Sequence, residues 1–114
     1  CYDLDGLAAI AQNQGVKTIV DNTFATPYIQ QPLSFGIDCV VHSSTKFLNG
    51  HGTGTSGVVI IKNEEALYKK IYGIQKMLGG ICSPFEAFLL NNGVKTLPLR
   101  MGQHQHNAMK LAQF

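Results

Sequence analysis

An α/β fold, with a mostly parallel sheet covered by helices on both faces, is what this sequence predicts. Three observations point there. Short apolar runs of strand length alternate along the chain with longer segments whose apolar residues recur at helical spacing. The runs are continuously apolar instead of alternating with polar residues, as strands covered on both faces are. Capping and turn residues stand between successive segments, so the order is strand and helix in alternation.

Each element can be justified in turn. Asp3 is placed to cap a first helix, in which Leu4, Leu7, Ala8 and Ala11 fall on one face, and Gly15 stands where that helix would stop. A strand follows over 16–20 and ends on Asp21. The stretch 24–31 contains Pro27 and reads as irregular, and 32–36 as a short helix. A second strand covers 37–41 and runs into His42-Ser43-Ser44-Thr45-Lys46. Gly50, Gly52, Gly54 and Gly57 make a loop before a third strand over 58–62. Asn63 caps the next helix, with Glu64 and Glu65 in its first turn, where the macrodipole favours acids. Leu67, Ile71, Ile74 and Leu78 form its apolar stripe, and Gly79-Gly80 ends it. Ser83-Pro84 opens a helix to about Asn91, Gly93 interrupts, and a last helix starts near Leu97.

Composition narrows the function classes. The 114 residues suit one compact domain, and with 45% hydrophobic and 14% charged residues the chain can bury a core. A net charge of +2 without a dense basic run gives no footing for nucleic acid, and no apolar run is long enough for a membrane span. Cys1, Cys39 and Cys82 are odd in number and lack a CxxC spacing, which argues against a disulfide framework or a zinc site and suits a reducing cytoplasm. The chain opens on Cys1 directly into a helix start, so it is expected to be an internal piece of a longer polypeptide.

In open α/β sheets ligands bind beyond the carboxyl ends of the strands. Asp21 and the segment Ser43 to Lys46 occupy two such ends. A carboxylate, two hydroxyls and a lysine are what a pyridoxal phosphate (PLP) site needs: a partner for the ring nitrogen, donors for the phosphate and an amine for the aldehyde. Singly, each has a plainer role. Asp21 could form a turn, Lys46 could be a solvated loop residue, and Ser43 and Thr45 could satisfy nearby backbone.

The longer pattern narrows the choice. Asp21-Asn22-Thr23-Phe24-Ala25-Thr26-Pro27-Tyr28, Gln31-Pro32-Leu33, Gly36-Ile37-Asp38 and His42-Ser43-Ser44-Thr45-Lys46-Phe47-Leu48-Asn49-Gly50-His51 resemble the signature of the cysteine and methionine metabolism PLP enzymes. Ser83-Pro84-Phe85-Glu86-Ala87 and Gly93-Val94-Lys95-Thr96-Leu97 through Arg100-Met101 are similar to that family too. The resemblance implies part of the large domain of the fold-type I PLP-dependent transferase (aspartate aminotransferase-like) fold. It implies Lys46 as the Schiff-base lysine and later proton shuttle, Asp21 on the pyridinium nitrogen, and Ser43 and Thr45 on the phosphate. It also implies a small amino-acid substrate and self-association as a homodimer or homotetramer.

Within the family, His51-Gly52-Thr53 looks more like the sulfhydrylase branch, so O-acetylhomoserine sulfhydrylase, acting at the γ carbon of an activated homoserine ester, is the first expectation. A methionine gamma-lyase or a cystathionine gamma-synthase or lyase is the alternative. A catalytically silent fragment or assembly module is the alternative of another class. Many relatives carry an arginine where Asn91 or Asn92 stands, and this chain does not.

Other motifs weigh less. Gly52 to Gly57 matches GxGxxG, but it precedes a strand where a dinucleotide fingerprint follows one. His104 and His106, two apart on a helix, point to different sides and suit a metal poorly. Cys39 reads as a small buried hydrophobe. Arg100 reads as a helix-surface arginine before a binder of substrate carboxylate, and His42 and His51 receive no role.

Overall fold

A computed structural model describes residues 2–114; Cys1 lies outside the described residues. The order is α1 (Leu4–Asn13), β1 (Ile19–Asp21), α2 (Thr26–Ile29), a 3₁₀ turn (Pro32–Phe35), β2 (Cys39–Ser43), β3 (Gly57–Ile61), α3 (Glu65–Leu78), α4 (Pro84–Lys95) and α5 (Leu97–Gln113). The strands and helices expected from the sequence are present in the expected order, with no helix between β2 and β3.

The three strands form one sheet in the order β1-β2-β3. β1 and β2 are parallel, with Ile19 opposite Cys39 and Asp21 opposite Val41. β2 and β3 are antiparallel, with Cys39 opposite Ile61 and Ser43 opposite Gly57. The sheet is therefore mixed among the described strands, because the glycine-containing loop returns the chain beside β2 without a crossover helix.

Strand bounds differ from the sequence reading for identifiable reasons. The Val16 amide donates back to the Ala11 carbonyl (2.9 Å), so Val16 belongs to the exit of α1. The Asp38 carboxylate accepts from the Thr18 amide (2.9 Å) and hydroxyl (2.8 Å) and pins the entry to both strands. β2 then extends through His42 and Ser43, which pair with Val58 and Gly57.

Helix ends show the same mixture. Asp3 caps α1 by accepting from the Gly6 amide (3.0 Å), and Gly15 takes a left-handed φ of 63° just beyond it. Glu64, and not Asn63, is the N-cap residue of α3. Ser83 and Glu86 form a reciprocal capping box at α4. That helix runs through Gly93 to Lys95, and a Cβ at Gly93 would collide with the Asn49 carbonyl. Gly93 is thus a close-approach residue, not a break. The segment read as irregular contains the short helix α2.

Two apolar clusters hold these parts. Ala8 of α1, Ile37 and Val40 are buried together, with Val20 and Leu33 against them, and cover the sheet face that carries Val20, Val40 and Ile60. Leu48, Leu97 and Met101, with Phe47 and Leu90, tie the segment after β2 to α4 and α5. On the opposite sheet face Val59 and Ile61 line a cavity of about 460 Å³ with Tyr68, Ile71 and Tyr72 of α3. No residue of α3 is buried. The chain is a flat layer of 45 × 38 × 18 Å, and its radius of gyration of 16.0 Å exceeds the roughly 13 Å of a compact domain this long. Among the described residues no helix is long and apolar enough to cross a membrane. Cys39, buried as expected, and Cys82 are free thiols.

Asp38 allows a stability test. The Thr18 amide and hydroxyl, and then Lys17, hold its carboxyl below the usual range. A depressed folded-state value means that the contribution is complete above the unfolded value, about 3.9, and is lost as pH falls through the folded one. Asp38→Asn is expected to lower the unfolding free energy by about 1 kcal/mol at pH 7. In denaturant titrations across pH, the gap from the parent protein should close below about pH 4.

Candidate active site

The site is built where β1 and β2 end side by side. Asp21 is the last residue of β1 and Ser43 the last of β2, and parallel pairing brings both carboxyl ends to one edge. The Asn22 amide extends the ladder by donating to the Val41 carbonyl (2.9 Å).

Thr23 joins the two ends. Its hydroxyl donates to Asp21 Oδ1 (2.6 Å) and accepts from the Ser43 amide (2.8 Å). Its amide donates to the same carboxylate oxygen (3.0 Å). These two bonds, hydroxyl first, hold the Asp21 carboxyl below the usual range, so it is ionised at neutral pH. Oδ1 is thereby occupied, while Oδ2 has no partner among the described residues. A carboxylate fixed at one oxygen and open at the other fits the protonated nitrogen of a pyridinium ring.

Lys46 sits in a turn directly after β2. Its amide donates to the Ser43 carbonyl (3.2 Å) and its carbonyl accepts from the Gly50 amide (2.8 Å). The lysine side chain is exposed, and Ser43 is half-buried. Thr45 is differently engaged. Its hydroxyl accepts from the Ser56 amide (3.1 Å) and donates to the Ser56 carbonyl (3.3 Å). Ser44, fully buried, shares a hydroxyl bond of 2.6 Å with Ser56. Thr45 would have to turn its hydroxyl away from the Ser56 carbonyl to donate to a phosphate.

Several features were not legible from the four expected residues. Thr23 carries the link between them, and Asp-x-Thr is a sequence in which an aspartate can bond the amide two residues on. Asn22 and Gln30 exchange bonds, Nδ2 to the Gln30 carbonyl (2.8 Å) and Gln30 Nε2 to Oδ1 (3.0 Å), closing the loop after β1. Within that loop Thr26 is buried at a φ of 61°, a strained conformation for a β-branched residue. His42, on the face opposite Ser43, is buried with Nδ1 unpaired among the described residues, and burial lowers its pKa. It lines a cavity of about 330 Å³ with Asn22, Pro32, Leu33, Val40 and Ile60, to which none of the four expected residues contributes. His104 packs edge-on against Phe47 with ring centroids 5.3 Å apart.

The sequence model described as Cys/Met metabolism PLP-dependent enzyme matches residues 1–114. The chain belongs to that family. L-methionine gamma-lyase of Pseudomonas putida is 48% identical over 114 residues, covering 98% of this chain and 28% of that protein. Cystathionine gamma-synthase/O-acetylhomoserine (thiol)-lyase of Bacillus subtilis is 46% identical over 112 residues, covering 98% and 30%. The crystal structure of cystathionine gamma-lyase from Lactobacillus plantarum complexed with L-serine superimposes with a TM-score of 0.92 at 43% identity, over 96% of this chain and 29% of that one. The fold is thus part of the fold-type I large domain, as expected, and the chain spans under a third of the length of these family members.

Thr23→Val tests the bridge. It is expected to raise the Asp21 pKa toward the ordinary carboxylate value of about 3.9 and to speed hydrogen exchange at the Ser43 amide. Carboxyl-detected NMR titration and amide exchange read the two effects. An unchanged Asp21 titration would show that the hydroxyl bond does not hold the carboxylate.

Proposed function

We propose that this chain is the cofactor-anchoring part of the large domain of an enzyme that cleaves sulfur amino acids, of the methionine gamma-lyase or cystathionine lyase kind. The observation that carries the reading is the Thr23 bridge, which joins an ionised Asp21 to the strand end that leads into Lys46.

The residue roles follow from position. Asp21 offers a fixed negative charge through Oδ2 and would keep a proton on the ring nitrogen of the cofactor. PLP, when bound, supplies an electron sink that stabilises negative charge at the substrate α carbon. Lys46 would hold the cofactor through Nζ, and the same amine would serve as the base that takes the proton from the substrate α carbon. Ser43 would offer its hydroxyl to the phosphate, and Thr45 would do so only with its hydroxyl turned from the Ser56 carbonyl. The substrate is a small amino acid, and the full-length protein self-associates.

O-acetylhomoserine sulfhydrylase, the first expectation from His51-Gly52-Thr53, is not favoured. The names of the relatives support the lyase alternative better, and the homoserine-ester activity appears among the relatives given above only jointly with a cystathionine synthase. Three residues in a loop do not settle a branch.

The test uses the full-length protein loaded with PLP. Borohydride should trap a pyridoxyl adduct on the peptide that carries Lys46, and Lys46→Ala should lose the adduct and at least roughly 10²- to 10⁴-fold in turnover. Product analysis with methionine, with cystathionine, and with O-acetylhomoserine plus sulfide should show faster elimination from one of the first two. An adduct on another lysine would refute the site. Absence of both adduct and turnover would instead favour a silent assembly module.

A further inference from the structure

Arg100 does not lie idle on a helix surface. It stands in the first turn of α5, half-buried, with its guanidinium spread over backbone on two sides. Nη1 donates to the Phe47 carbonyl (2.8 Å), and Nη2 donates to the carbonyls of Leu48 (3.4 Å) and Gly93 (2.8 Å). Nε donates to the Thr96 hydroxyl (2.9 Å), which itself donates to the Gly93 carbonyl (3.1 Å). Phe47 and Leu48 are the two residues that follow Lys46.

We propose that Arg100 is a positioning residue for Lys46, clamping the lysine turn against the junction of α4 and α5 so that the amine is presented in one place. The proposal rests on the reading of Lys46 as the cofactor-attaching residue. It assigns Arg100 to the lysine turn in place of a substrate carboxylate, since each of the three guanidinium nitrogens already donates to an acceptor of this chain.

The fit around the clamp is close. Gly50 has a φ of 72°, and a Cβ there would collide with the guanidinium. On the other side Gly93 lets α4 touch the Asn49 carbonyl. Leu48 is packed with Leu97 and Met101, and Phe47 meets Phe24 edge-on with centroids 6.0 Å apart. Apolar packing holds the turn in place, while the guanidinium sets the direction of its carbonyls. A planar fork with fixed donors reaches carbonyls on two sides at set angles, whereas an ammonium's donors radiate from one point on a flexible stem.

The experiment compares the full-length protein with Arg100→Lys and Arg100→Met. In the cofactor-free protein, amide exchange at Asn49 and Gly50 should accelerate in both variants, with Arg100→Lys intermediate. On adding PLP, attachment to Lys46, followed by visible absorbance and borohydride mapping, should slow roughly 10- to 100-fold at a temperature well below unfolding. KM for the amino-acid substrate should change far less than kcat. Attachment at the parental rate in folded Arg100→Lys, with unchanged exchange at Gly50, would overturn the proposal. A KM rise at constant kcat would overturn it too, by making Arg100 a substrate binder. An adduct mapping away from Lys46 in the parental protein would overturn the underlying site assignment instead, so the two failures are distinguishable.

Discussion

The hydroxyl of Thr23 stands between the ends of two parallel strands, donating to the carboxylate of one and accepting from the amide of the other. Everything else in the site depends on that contact. Parallel pairing sets Asp21 opposite Val41, but pairing alone leaves the residues beyond the ladder free to diverge. A short charge-assisted bond on Asp21 fixes the carboxylate orientation, and the same oxygen fixes where β2 stops. From Ser43 the chain has only a tight turn to make before Lys46, closed by the Lys46 amide on the Ser43 carbonyl, and the Gly50 amide closes the next turn on the Lys46 carbonyl.

The supports of the two halves of the site differ. Asp21 is held mainly by hydrogen bonds near its own strand: Thr23 beside it, and the exchange between Asn22 and Gln30 beyond. Lys46 is held from a distance, by Leu48 packed among the residues of α5 and by backbone carbonyls bonded to Arg100. The strand pairing, Thr23 and the edge-on contact of Phe24 with Phe47 connect the halves directly. The flat shape of the chain and the exposed face of α3 suit a layer that presents this edge, and the reactive groups are accordingly open to solvent.

Much of this was legible in the amino-acid order because local chemistry decided it. The Asp3 cap and the Ser83-Pro84 helix start depend on neighbours a few residues away and formed as read, while the apolar runs formed strands with shifted bounds. Asp21 and Lys46 could be singled out because strand ends are where such sheets carry ligands. The features that escaped are those set by distant partners. Gly93 looked like a helix break because its reason for being glycine is the Asn49 carbonyl. Arg100 looked solvated because its acceptors are carbonyls, which no side-chain pattern reveals. The antiparallel third strand followed from a loop that returns beside β2, where a helical crossover would have kept the sheet parallel.

The central claim is that Asp21, oriented by Thr23, is the group that would keep the cofactor ring protonated beside Lys46. The most direct measurement is the ¹⁵N chemical shift of ring-labelled PLP bound to the full-length protein and to its Asp21→Asn variant. A protonated ring nitrogen in the parental protein that becomes unprotonated in the variant is the result this account predicts. A ring nitrogen of the same protonation state in both proteins would contradict it.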